Sequence, residues 1–315
     1  MGIRDKNKKG FFFTTIAIAL SIVLILSYNV YTGYRLTDKM EAIEIRVDTM
    51  SSFIKDMEND MENAIFTVGF RSLLSVEDYM MANDDFINNL GTNLNNAFDE
   101  VFRQGTINAE VMGLMKNNTF AYWTNKMIEQ ADKTNIILNF TVNGATITQT
   151  EPWMVDIEVD LRINVTDKKN TASWIIDKDF TKKINITGFV DPLYLVNNDG
   201  LVNNTIRKTT VTNFGAGLST HVNNGYYREH SGAPSYLMRF ENNLASSPYG
   251  IESLVNPQKL RDANLPTSSR SAVDFIYYGV VITSNCHIQQ ITDPDFFLDY
   301  SPTNHRDFYQ ATCTS

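Results

Sequence analysis

Residues 10–34 read GFFFTTIAIALSIVLILSYNVYTGY and contain no charged side chain. An α-helix of this length spans about 37 Å, which is enough to cross a hydrocarbon core of roughly 30 Å. The basic residues of the N-terminus directly precede the run, at Arg4, Lys6, Lys8 and Lys9. Because basic residues that flank a span stay on the cytoplasmic side, the sequence predicts a single membrane helix with its N-terminus inside.

The end of this apolar run distinguishes an anchor from a cleavable secretory signal. A secretory signal has a shorter apolar segment, followed by small residues of the A-x-A kind. Here the run ends in SYNVYTGYR, where Tyr28, Tyr31 and Tyr34 occupy the place of an interfacial aromatic belt. The pattern therefore favours a segment that stays attached to the chain.

The start of the run, KKGFFFTTIAIAL, resembles the class III signal of type IV prepilins and their archaeal relatives. In that family a membrane peptidase cuts on the cytoplasmic face after a glycine and leaves an apolar assembly helix. The resemblance covers about residues 4–34 and implies recognition through Lys8 and Lys9, cleavage after Gly10 and a mature N-terminus at Phe11. It also implies the prepilin peptidase and like or related filament subunits as partners.

One position departs from the bacterial pattern. Bacterial pilins carry glutamate at the fifth mature position, where this chain has Thr15, and archaeal relatives often lack that acid. A basic-glycine-apolar start also occurs in plain signal anchors. A permanently anchored binding or sensing domain on a helical stalk is therefore an alternative interpretation.

Beyond Arg35, apolar residues continue at alternating steps of four and three, which defines a heptad seam. No proline or glycine interrupts residues 34–68, so we expect one amphipathic rod, either a coiled-coil stalk or a helix lying along its own globular part. The methionines of the seam, with Ile45, Phe53 and Ile65 beside it, favour packing on a domain. The seam consists of Leu36, Met40, Ile43, Val47, Met50, Ile54, Met57, Met61, Ala64 and Val68.

Residues 69–132 predict broken amphipathic helices, and the period then changes to two. The clearest case is WMVDIEVDLRINVT at 153–166, in which apolar and polar residues alternate as in a strand buried on one face. NIILNFTV at 135–142 and KKINITGFV at 182–190 follow the same pattern. Turn formers at Asn143-Gly144 and at Asp167-Lys168-Lys169-Asn170 complete a predicted antiparallel meander.

Five N-x-[ST] sequons are candidate glycosylation sites, at Asn117, Asn139, Asn164, Asn185 and Asn203. In a chain this rich in asparagine such a number arises by chance, so their placement is more informative than their count. Asn139, Asn164 and Asn185 fall on the polar face of the predicted strands, where a glycan would point outward.

The C-terminal third predicts irregular α/β structure, with a buried strand in AVDFIYYGVVI at 272–282. Its two cysteines, Cys286 and Cys313, are free thiols in a cytosolic protein. Outside the cell they are a candidate disulfide, which would stabilise the fold by roughly 3–4 kcal/mol.

The sequence contains none of the common metal-binding, cofactor-binding or catalytic motifs. No two of its histidines lie close together on one element, so no metal site is predicted, and Asp293, Asp295 and Asp299 predict a solvated acidic loop without EF-hand spacing. Phosphate-loop, dinucleotide, nucleophile-elbow and zinc-protease motifs do not occur. We therefore predict no cofactor and no catalytic residue, and an anchored extracellular enzyme has no support. The histidines are His221, His230, His287 and His305.

These patterns together predict an α+β protein of the cell membrane, with most of the chain outside. A net charge of −9 argues against a nucleic-acid partner. The resemblance implies a structural or adhesive filament subunit, a pilin or pseudopilin. The expected segments are a cytoplasmic leader 1–10, a membrane or assembly helix 11–34, its amphipathic extension 35–68, a helical segment 69–132, an antiparallel sheet 133–195 and an irregular C-terminal subdomain 196–315.

Overall fold

The computed structural model describes residues 8–279 and 281–314 and shows mixed helix and sheet behind a long N-terminal helix. This helix, α1 (Lys8–Asn83), has 76 residues, which corresponds to about 114 Å at 1.5 Å per residue. The predicted continuation of the apolar helix as one rod is confirmed, and the rod extends beyond the seam to Asn83. Arg4 and Lys6 of the leader lie outside the described residues.

The two halves of α1 have different surroundings. In the projecting half (residues 16–45) the apolar side chains from Ile16 to Tyr34 are exposed, and so are Met40 and Ile43 of the seam. In the packed half (residues 50–80) one face is buried. The expectation that the seam lies along the globular part is therefore right from Met50 onward and wrong for Met40 and Ile43.

Two further helices, α2 (Leu94–Gln104) and α3 (Phe120–Lys133), follow α1 and flank a short hairpin of β1 (Thr106–Ile107) and β2 (Glu110–Val111). Each helix begins at a capping side chain: Asn93 Oδ1 accepts from the backbone N–H of Asn96, and Thr119 Oγ1 from that of Tyr122. The predicted break of residues 69–132 into separate helices is confirmed.

The main sheet contains β3 (Ile136–Glu151), β4 (Met154–Asp167) and β5 (Ser173–Asn185) in the antiparallel order β3-β4-β5. The meander is thus confirmed. Its inner face is the alternating apolar set of β4, each member fully buried: Val155, Ile157, Val159, Leu161, Ile163 and Val165. One polar residue of the alternating pattern is buried as well: Asp156, which accepts a hydrogen bond from Thr150.

The predicted turn at Asn143-Gly144 is wrong. Both residues lie inside β3, and the pairing register with β4 shifts between Val142 and Gly144, as at a β-bulge. A bulge accommodates one extra residue while the ladder continues, so the chain reverses only after Glu151. The second turn, after Asp167, is confirmed, since the backbone N–H of Asn170 donates to Asp167 O.

The C-terminal region consists of short elements joined by loops. The predicted strand at 272–282 is wrong, because residues 274–278 form a helix and residue 280 lies outside the described residues. An apolar run does not by itself separate helix from strand. The elements are α4 (Pro192–Asn197), α5 (Phe214–Asn224), β6 (Tyr227–Glu229), α6 (Tyr236–Phe240), β7 (Ile251–Ser253), α7 (Pro257–Asp262), α8 (Asp274–Tyr278), β8 (Asn285–His287), β9 (Phe297–Asp299) and α9 (His305–Phe308).

One contiguous cluster of buried apolar residues extends from Met50 of α1 to Tyr309 near the C-terminus. The packed half of α1 lies across the sheet, where Gly69 faces Ile157 of β4. A β-carbon placed on Gly69 would lie 2.1 Å from Cδ1 of Ile157. The packed half of α1, the sheet and the C-terminal elements therefore share one hydrophobic core. Together these elements are called the head.

Candidate functional site

The projecting half of α1 is the first candidate functional surface. The helix is long and apolar enough to cross a membrane: an 18-residue window has a mean hydropathy of 1.8, and none of that window is buried. Its large side chains are strongly exposed, for example Leu24 at 63% and Tyr28 at 68%. Lys8, Lys9, Gly10 and Phe11 lie at the start of this helix.

Arg46 attaches the projecting half to the head. Its guanidinium donates 2.9 Å hydrogen bonds to the buried carboxylate of Asp167 and to the backbone oxygens of Thr134 and Asn135. Hydrogen bonds from Thr171 and Arg46 lower the pKa of Asp167. The helix therefore meets the end of the β3–β4 ladder through a charged contact one turn before its first fully buried residue, Met50.

The candidate glycosylation sites lie at the surface. Asn139 and Asn164 are cross-strand neighbours on the outer face of the sheet, Asn139 exposed and Asn164 half-buried. Asn185 at the end of β5 is exposed, as are Asn117 and Asn203 in loops. The candidate disulfide is present, since Cys286 of β8 is bonded to Cys313.

A cluster of titratable groups lies deeper in the C-terminal region, formed by His230, Glu252 and His305. The Nδ1 of His230 is 2.5 Å from Oε2 of Glu252, and the Nε2 of His305 is 3.3 Å from the same oxygen. Glu252 and His305 are fully buried, whereas the side chain of His230 keeps 21% of its surface exposed. The cluster, here called the histidine–glutamate cluster, reaches the surface at His230.

Three separate elements position this cluster. Glu252 is the middle residue of β7 and pairs with Arg228 of β6, and His230 follows β6 directly. Gly250 allows the loop after His230 to close on β7, because a β-carbon there would lie 2.1 Å from the backbone oxygen of Ala233. His305 begins α9.

Asp299, at the end of β9, orients His305 from the other side. Its carboxylate lies 2.9 Å from Nδ1 of His305 and accepts 2.6 Å hydrogen bonds from Ser271 and Thr303. The interpretation of Asp299 as part of a solvated loop is therefore wrong: it is fully buried. Asp293 and Asp295 remain nearer the surface, both paired with Arg261.

Burial and charge act in opposite directions on the pKa values in this cluster. Burial alone would raise the pKa of Glu252, but the adjacent imidazoles of His230 and His305 lower it to about 2. Burial alone would lower the pKa of His305, but its two carboxylate neighbours raise it to about 10. The arrangement thus favours a positive charge between Glu252 and Asp299.

Several polar atoms of this region have no hydrogen-bond partner among the described residues. They include Oε1 of Glu252, Nε2 of His305 and the hydroxyl of Tyr309, whose pKa is raised by burial and by the charge of Glu252. Buried polar atoms normally have a hydrogen-bond partner, and these atoms lie together in one region.

A second buried network lies on the other side of β7. The guanidinium of Arg239 donates to Asp191 at 2.6 Å, to Asp274 at 2.9 Å and to the backbone oxygen of Ile251. Burial alone would lower the pKa of Arg239, but the two aspartates raise it above its usual range. Breaking such a buried pair is strongly destabilising, so this network fixes α4, α6 and α8 around β7.

Sequence reasoning missed the histidine–glutamate cluster because it searched for ligands close together along the chain. His230 and His305 are brought together only by the fold. His230 also stacks on Phe308 at 4.4 Å, and this contact with α9 likewise exists only in the folded chain.

Comparison with protein-family models, with curated proteins and with solved structures finds no match for this chain. Any function assigned to it therefore rests on its residues and their geometry.

Proposed function

We propose that the chain is a prepilin-like, membrane-anchored surface protein that acts as a structural or adhesive subunit of a type IV pilus-like filament. The observation that supports this best is the projecting half of α1, which keeps its apolar side chains exposed while the same helix packs onto the head further along. Each large apolar side chain gains roughly 1.5–3 kcal/mol on leaving water, so this surface requires a bilayer or neighbouring subunits to cover it.

The two ends of the chain support one orientation. Lys8 and Lys9 stand at the start of the apolar helix, where basic residues favour the cytoplasmic side. The Cys286–Cys313 disulfide near the other end is typical of an oxidising, extracellular environment. A cytoplasmic leader with an external head satisfies both conditions.

In this proposal Lys8, Lys9 and Gly10 direct the prepilin peptidase, and Phe11 becomes the mature N-terminus. The remaining helix would hold the subunit in the membrane and then pack against like helices in a filament. The head, with its sheet surface carrying Asn139 and Asn185, would lie outside.

The test is intact-mass and N-terminal peptide mass spectrometry on the chain from its native membrane. We expect the first residue to be Phe11. Gly10→Val should accumulate as the uncleaved form. Gly33→Val is the matched control: it lies in the same helix, an added β-carbon meets nothing within 4 Å, and its processing should be normal.

A chain that retains residues 1–10 in its native membrane would overturn the filament proposal. The projecting half would then be a permanent anchor, and the head an anchored binding or sensing domain. Normal maturation of Gly10→Val would likewise exclude cleavage at this glycine.

A further inference from the structure

We propose that the histidine–glutamate cluster binds a zinc-type divalent cation, with His230 Nδ1, Glu252 and His305 Nε2 as its ligands. These ligand atoms all lie within 4.8 Å of one another. A tetrahedral zinc site has bonds of roughly 2.0–2.1 Å and so spaces its ligand atoms about 3.3 Å apart. The inference is independent of whether α1 is processed or assembled.

The ligand set indicates the class of ion. Two imidazoles and one carboxylate suit zinc and the neighbouring ions cobalt and nickel, whereas calcium and magnesium prefer oxygen ligands. A fourth ligand would approach from the side of His230, whose side chain is partly exposed.

Asp299 gives His305 the orientation that a metal ligand requires. A histidine that binds a metal through one nitrogen usually donates the other N–H to a carboxylate or carbonyl. Here Nδ1 of His305 lies 2.9 Å from Asp299, so Nε2 is turned towards Glu252, on the side where the ion would bind. Ser271 and Thr303 hold the carboxylate of Asp299 in turn.

A proton on His305 is the simpler alternative, and the zinc titration below distinguishes the two. An imidazolium between Asp299 and Glu252 would direct its two N–H groups at the two carboxylates. A divalent cation contacts both histidines and the carboxylate at once, and it balances the two buried negative charges of Glu252 and Asp299.

An ion at this position would join the loop after β6, strand β7 and helix α9. Of these three elements, only α9 lies within the loop that the Cys286–Cys313 disulfide closes. The ion would therefore stabilise the C-terminal region of the head against local unfolding, in addition to the disulfide.

The test uses the full chain in detergent, purified without a polyhistidine tag, stripped by a chelator and then titrated with zinc. We expect one zinc per chain after gel filtration, measured by elemental mass spectrometry, and a higher melting temperature with zinc. His230→Gln and His305→Gln should each lose the bound zinc. Asp299→Asn keeps all three ligands and should weaken zinc binding by roughly 10–100-fold.

His287→Gln is the matched control. His287 lies in the same region but outside the cluster, where its Nε2 contacts the backbone oxygen of Asp293 at 2.9 Å, so this variant should retain zinc. His230 is partly exposed, so its variant should fold even if the buried His305→Gln does not. Failure of the wild-type chain to retain zinc, or unchanged binding in His230→Gln, would overturn the proposal and leave a protonated His305 in an ion pair.

Discussion

The projecting and packed halves of α1 belong to one helix and share one heptad seam, yet their surroundings are opposite. Met40 and Ile43 of the seam are exposed, whereas Met57 and Met61 are buried against the head. Periodicity thus predicts an apolar stripe along the helix but does not predict what the stripe packs against. A helix that is apolar all round needs a bilayer or neighbouring helices, and one that is apolar on a single face needs only its own domain.

The largest expected effect comes from core packing, to which the packed half of α1 contributes and the projecting half does not. Ile65→Ala removes a fully buried side chain of the packed half and should lower the free energy of unfolding of the head by roughly 2–5 kcal/mol. Ile22→Ala, in the projecting half, should leave it unchanged. Urea unfolding of the full chain in detergent measures both. Equal losses in the two variants would show that the halves are not energetically distinct.

A smaller effect concerns a carboxyl group buried in the packed half. Burial raises the pKa of Glu77 to about 8, although its side chain accepts a 2.8 Å hydrogen bond from Tyr236. The folded chain therefore keeps a proton that the unfolded chain releases above the ordinary value of 4.5. This contribution to stability is fully present below pH 4.5 and is lost as pH rises through about 8.

Glu77→Gln should remove this pH dependence and raise the stability of the head at pH 7 by about 1–3 kcal/mol. Unfolding at pH 5 and pH 8 measures the difference. Glu44→Gln, at an exposed position of the projecting half, is the control and should change neither value. If the pH dependence of stability persisted in Glu77→Gln, it would have to come from other titratable groups.

The smallest effect compares two glycines of the same helix. Gly69→Ala places a β-carbon against Ile157, and the overpacking cost of roughly 1–3 kcal/mol exceeds the gain in helix propensity of roughly 1 kcal/mol. We expect a net loss of about 1 kcal/mol in the stability of the head. Gly33→Ala, which meets nothing within 4 Å, should cost nothing. A stabilised Gly69→Ala head would show that Ile157 can move aside.

The regular elements were predictable where one hydrophobic pattern continued over many residues. The alternating residues of β4 predicted a half-buried strand, and the uninterrupted seam predicted one rod. The errors fell at short or ambiguous segments. Asn143-Gly144 suits a turn and a bulge equally, and the choice depends on β4 pairing along the whole length of β3.

The candidate sites also divide into those that local sequence features indicate and one that only the fold brings together. The apolar helix, its basic flank and the two cysteines are local features, so the sequence alone indicated a candidate membrane helix and a candidate disulfide. The histidine–glutamate cluster was not predictable, because its members come from β7, α9 and the loop after β6, and nothing in their spacing indicates contact.

The sequence by itself determined that this chain contains a long apolar helix and an antiparallel meander, since period and length depend only on neighbours along the chain. The tertiary structure decided which part of that helix the head covers, that Asp299 is buried, and that His230 meets His305 across Glu252. These outcomes depend on contacts between residues far apart in sequence, where burial and charge act through the folded core.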